Sequence, residues 1–130
     1  MEIILTTCCK DKDSSKNLIS AIKRYQDPRI RLVRKISSRK NSELFFLSGK
    51  FGLIHSETPI PWYDKPLLKD DVQKLRHIVK FQIKNYDIKK VYFYGESKKK
   101  KGWRPYYQLI EKACKDLGIS LEIILTQEKI

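Results

Sequence analysis

The sequence predicts a single three-layer α/β domain, residues 1–130, with a mainly parallel sheet of four to five strands and helices on both faces. Three observations predict it. Apolar runs of strand length alternate with segments of helical periodicity along the whole chain. The runs EIILTT, ELFFL, KVYFY and LEIIL are nearly continuous, as in strands covered on both faces. Three of them stop abruptly in loops of Cys, Ser, Gly and Lys, the chemistry expected where parallel strands end together.

The first strand is Glu2–Thr7, ending in Cys8, Cys9 and Lys10. Ser14 or Ser15 caps a helix with Leu18, Ile19, Ile22 and Tyr25 on one face, stopped by Asp27-Pro28. Ile30 to Ile36 alternates basic and apolar residues and reads as a short edge strand, followed by a basic turn over 37–42. Glu43–Leu47 is the central strand. Asp70 or Asp71 caps the next helix, whose buried stripe is Val72, Leu75, Val79, Ile83 and Tyr86. Lys90–Tyr94 is a buried strand closing on Gly95. Pro105 starts the last helix and Gly118 ends it. Leu121–Leu125 is the final strand.

Composition narrows the function. The net charge is +13, from 28 Lys and Arg against 15 Asp and Glu. Such a field favours polyanionic partners, of which nucleic acid is the commonest. A lysine-rich proteome is the plainer explanation, but glutamate would then rise in parallel. No apolar run approaches the roughly 20 residues of a membrane helix, and the N-terminus lacks a signal peptide's basic leader. A cytoplasmic location and no membrane partner are the expectation. The three cysteines include an adjacent pair and form no disulfide framework. No ligand cluster suggests a metal or cofactor.

The stretch LFFLSGKFGLIHSETPIPWYDKPL, Leu44 to Leu67, concentrates the candidate chemistry. Gly49 and Gly52 around Lys50 can bring bare N–H groups and a cation against an anion. The plainer reading is a turn. Pro59, Pro61 and Pro66 stiffen the loop carrying Trp62, Tyr63 and Asp64. The spacing is not that of a P-loop. A parallel sheet would bring this loop beside Lys10 and beside Gly95, Glu96 and Ser97. The candidate ligand and anion site is therefore Lys10, Ser48, Gly49, Lys50, Gly52, Tyr63 and Gly95, with Trp62 and Tyr63 as stacking faces. Asp64 is a candidate general base and Cys8 a candidate nucleophile, although no histidine lies near Cys8 in sequence. Lys50 and Asp64 can instead pair with each other and pin the loop. Arg31, Arg34 and Arg39, in a run of six cations between Arg29 and Lys40, and Lys98, Lys99, Lys100 and Lys101 are candidates for tracking a phosphate backbone.

The motifs LSGKFGLI and PIPWYD, with the Cys–Lys end of the first strand and a hydrophobic strand closing on glycine, resemble the DUF6884-type small α/β proteins. More distantly they are similar to the YaaA peroxide-stress family. The resemblance points to Cys8, Ser48, Lys50, Gly52, Tyr63, Asp64 and Gly95. Cys9 stands where those proteins often have Ser, and Phe51 where they often have Tyr. YaaA-like relatives imply DNA binding and a link to oxidative damage, and related domains occur beside base-modifying enzymes of tRNA. The expectation is a domain binding nucleic acid or a nucleotide at the C-terminal edge of its sheet. The alternatives are an enzyme acting on a nucleoside, nucleotide or base, for example at a glycosidic bond, and an interaction module that has lost the site.

Overall fold

A computed structural model describes residues 1–126. Five strands form one sheet in the order β4-β3-β1-β6-β7: β1 Glu2–Thr7, β3 Glu43–Ser48, β4 Gly52–His55, β6 Lys90–Gly95 and β7 Ser120–Leu125. All neighbours pair in parallel except β3 and β4. The short strands β2 (Ile19–Ser20) and β5 (Pro59–Ile60) make a separate antiparallel ribbon. The helices are α1 Ala21–Arg24, α2 Pro28–Lys40, α3 Val72–Asn85 and α4 Arg104–Leu117. The predicted α/β architecture is the observed one, and the apolar runs of β1, β3 and β6 form the buried centre.

From β1 the chain crosses through α2 to β3 on one side. From β3 it returns past β1, through α3, to β6, and then through α4 to β7. Right-handed crossovers in these opposite directions put α2 on one face of the sheet and α3 and α4 on the other. In keeping with this, α2 packs on β1 and β3, while α3 and α4 pack on each other. Arg76 of α3 forks onto Asp116 of α4 through Nε and Nη2, at 2.6 and 2.7 Å. The winding direction reverses between β1 and β6. Outside the C-terminal ends of those strands the following loops part to opposite faces and leave a crevice.

Three readings are corrected. Ile30 to Ile36 is not an edge strand but the middle of α2. Asp27-Pro28, taken as a helix stop, is a helix start: Asp27 is the N-cap and accepts the Arg29 N–H at 2.8 Å, and Pro28 takes the first helical position, where no N–H is needed. The helix expected from Ser14 or Ser15 to Tyr25 shrinks to the four residues of α1. The cause is Arg24, fully buried, whose Nη groups donate to the carbonyls of Asp13, Ser15, Asn17 and Ile60 at 2.7 to 3.0 Å. Those carbonyls wrap the guanidinium and are not free for a helical ladder, and Leu18 is left exposed.

Candidate nucleotide site at the C-terminal edge

The segment Ser48–Gly52 is a hairpin turn between β3 and β4. Ser48 Oγ accepts the N–H groups of Lys50 and Phe51 at 3.0 and 3.1 Å, so those two donors are already engaged. With both lone pairs in use, Ser48 donates its own proton to Tyr63 Oη at 2.8 Å. Tyr63 in turn bonds to Tyr25 Oη. Tyr63 is buried and packs edge-on against Tyr25 and Phe51. Burial lifts the hydroxyl pKa of both Tyr25 and Tyr63 above the ordinary tyrosine value. Tyr63 therefore locks the loop; of the two predicted stacking faces only Trp62, 54% exposed, is open.

Gly49 lies against the proline-rich loop. A Cβ there would sit 2.5 Å from Lys65 O, 2.6 Å from Leu67 N and 2.8 Å from Pro66 C, all backbone atoms. Gly52 has φ +74°, and the Gln82 side chain bonds across it to the backbone of Phe51 and Leu53. Gly95 is a close-approach position, with Trp103 and Tyr107 within 2.9 Å of where its Cβ would be.

Two hollows open beside this framework. The first, about 500 Å³, fills the crevice outside β1 and β6. Thr7, Cys8 and Cys9 reach it from β1, Asp27 and Arg29 from the start of α2, and Trp103 and Tyr106 from the start of α4. Six cations line it, Lys10, Lys12, Arg29, Lys65, Lys100 and Lys101, against three carboxylates, Asp27, Asp64 and Glu96. Glu96 is paired with Lys100 at 2.8 Å, Lys65 with Asp71 at 2.6 Å, and Asp27 is engaged as a cap. Lys10, Lys12, Arg29 and Lys101 make no ion pair among the described residues. Lys12 lies 4.8 Å from the Tyr63 ring centre. Cys8 Sγ is 3.4 Å from Tyr106 Oη, which also accepts the Leu67 N–H at 3.1 Å. Burial raises the Tyr106 hydroxyl and the neighbouring Cys9 thiol above their usual pKa values, so neither is poised to ionise.

The second hollow, about 510 Å³, is lined by Gly49, Lys50, Trp62, Tyr63, Lys74 and Ile78, among others. Asp64 and Lys65 line both hollows and form the ridge between them. Lys10 and Lys50 therefore face different hollows, and Lys50 does not pair with Asp64 among the described contacts. Ser48, Gly52 and Gly95 line neither and act by shaping the backbone.

The basic candidates divide. Lys100 and Lys101 border the first hollow. Lys98 pairs with Glu111 at 3.0 Å, and Lys99 is exposed. Arg31, Arg34 and Arg39 lie on the exposed side of α2, which runs back toward the opposite sheet edge. There Arg34 borders a smaller hollow of about 310 Å³ with Glu43 and His55. Sequence reading counted Arg29 among the surface cations and left it out of the site. It is drawn inward by Thr6 Oγ1 and the Thr7 carbonyl at the end of β1, partners that no local pattern marks. No group of three or more His, Cys, Asp or Glu among the described residues could hold a metal ion. No helix among them is long and apolar enough to cross a membrane. Comparison with protein-family models, curated proteins and solved structures gives no match in any of the three.

Proposed function

We propose that this chain binds a nucleotide, free or within a nucleic acid strand, at the C-terminal edge of its sheet. The observation carrying this reading is the first hollow: twice as many cations as carboxylates around about 500 Å³ at the point where the winding reverses. Ligands of doubly wound sheets bind at that point, and the volume lies within the roughly 300–1,000 Å³ range of small-ligand sites. The phosphate of the ligand meets the cations there. A base has a flat face at Trp62 across the Asp64–Lys65 ridge. A longer strand leaving the hollow past the start of α2 would follow the exposed Arg31 and Arg34. The motif resemblance to DUF6884-type and YaaA-like proteins points the same way and rests on those motifs alone.

A second reading, an enzyme acting on the bound nucleoside or base, is favoured by Asp64. Its carboxylate is exposed on the ridge between the hollows and makes no ion pair with a described residue. That leaves it free to serve as a base or to stabilise positive charge.

Titration of a fluorescently labelled oligonucleotide tests binding. Affinity should fall steeply with salt, because each lysine or arginine contact releases a counterion. An oligonucleotide that does not bind at low salt would remove the reading. Release of free base from nucleosides or nucleotides, abolished in Asp64→Asn, would move the protein to the enzyme class.

A further inference from the structure

We propose that Arg29 is the anchor for a phosphoryl group in the first hollow, gripping it through the Nε–Nη2 edge of its guanidinium. The inference deepens the nucleotide reading above and rests on it. Arg29 is only 9% exposed. A buried charge is costly unless paired or hydrogen-bonded. Arg29 has no carboxylate partner among the described residues, and both its side-chain hydrogen bonds run through Nη1, to Thr6 Oγ1 at 2.5 Å and the Thr7 carbonyl at 3.1 Å. Nε is buried and without a partner.

The same pair of donors does the work in Arg76, whose Nε and Nη2 hold the two oxygens of Asp116 at 2.6 and 2.7 Å. That side-on fork matches a carboxylate or a phosphoryl group. Arg24, the other deeply buried arginine, also has an unpartnered Nε. Its two Nη groups, however, are spread over four carbonyls, and it lines none of the hollows described above.

The surroundings select a phosphoryl group over a carboxylate. The Thr6 and Thr7 bonds fix one end of the guanidinium, and the Trp103 ring, 4.8 Å from Cζ, fixes its plane. Thr6 Oγ1 donates onward to Tyr94 O at 2.7 Å, so the anchor is tied to both strands at the reversal point. Arg29 lies in the first turn of the 13-residue α2, where the helix dipole favours an anion. Lys10, Lys12 and Lys101 around the same hollow supply the further charge that a dianion, but not a single carboxylate, would use. Asp27 and Asp64 face it as well, and Glu96 is neutralised by Lys100.

The test uses the full chain and inorganic phosphate as the probe. In the wild type, phosphate should raise the melting temperature and shift the Arg29 Nε–H NMR resonance, both saturating over one concentration range. Arg29→Lys keeps the charge and loses the fork, so phosphate affinity should fall about ten- to a hundredfold. Failure of the wild type to bind phosphate, binding with the Nε–H resonance unmoved, or a Lys variant within twofold of wild type would each overturn the proposal. The resonance measurement stands if the variant does not fold. The two readings fail separately. Arg29-dependent phosphate binding without any nucleotide or oligonucleotide binding ends the nucleotide reading and keeps the anchor. Oligonucleotide binding that leaves the Arg29 resonance unmoved does the reverse.

Discussion

Replacing Gly49 with Ala should destabilise the protein although it adds a single methyl group. The new Cβ would meet Lys65 O, Leu67 N and Pro66 C at 2.5, 2.6 and 2.8 Å, and none of these belongs to a side chain that can swing away. The hairpin turn and the proline-rich loop must separate. Overpacking of this kind costs about 1–3 kcal/mol, and three backbone contacts put Gly49→Ala near about 3 kcal/mol. The stiffer unfolded chain returns about 0.5 kcal/mol. The net, about 2.5 kcal/mol, corresponds to a fall of about 10 °C in melting temperature for a domain of this size. Gly118→Ala is the control. Gly118 has φ +65° at the end of α4 with nothing within 4 Å of a Cβ, so only backbone strain of about 1 kcal/mol applies. Thermal melts by circular dichroism compare the two. A Gly49→Ala protein melting within 2 °C of wild type, or a larger loss in Gly118→Ala, would refute the packing argument.

Tyr63→Phe should lower the denaturant midpoint by the equivalent of about 1–2 kcal/mol with an unchanged slope, since Ser48 and Tyr25 each lose a buried partner. Stability should also decline in alkali. Burial raises the pKa values of Tyr25, Tyr63 and Tyr106 and pushes the Cys114 thiol up to about 12. Groups whose folded values are raised contribute stability that is full below their unfolded values, about 8.5 for Cys and 10 for Tyr, and lost as pH climbs through the folded values. Melting temperatures recorded from pH 7 to 12 should hold to about pH 8 and then fall, less steeply in Tyr63→Phe; a rise above pH 9 would contradict this.

The parallel part of the sheet was legible in the sequence because burial on both faces leaves continuous apolar runs at β1, β3 and β6; the antiparallel edge strand β4, Gly52–His55, was read into the loop after β3. α3 and α4 were legible from one apolar stripe each, with Gly118 marking the end of α4, although Tyr86, read into the buried stripe of α3, is its exposed C-cap. α2 was not. Over seven residues, Ile30, Leu32 and Ile36 imitate a period of two, whereas the buried pair is Ile30 and Val33, one helical turn apart. A proline also looks alike at the end of one helix and the start of the next. At the site, the loops that converge followed from topology, but the division of labour did not. Tyr63, read as a stacking face, turns inward because Ser48 and Tyr25 satisfy its hydroxyl. Arg29, read as surface charge, is held inward by the end of β1. Both outcomes depend on partners distant in sequence, which local pattern does not reveal.

The central claim is that the basic charge works at one place, the C-terminal edge, and not as a diffuse field. It is tested by titrating a labelled single-stranded oligonucleotide, across a series of salt concentrations, into wild type, Lys101→Glu and Lys84→Glu. Both variants carry the same net charge. Lys101 borders the first hollow, and Lys84 is exposed near the end of α3, toward the opposite sheet edge. The account predicts steeply salt-dependent binding that Lys101→Glu weakens about tenfold or more and Lys84→Glu leaves within about twofold. Equal losses in the two variants, or no binding by the wild type at low salt, would contradict it.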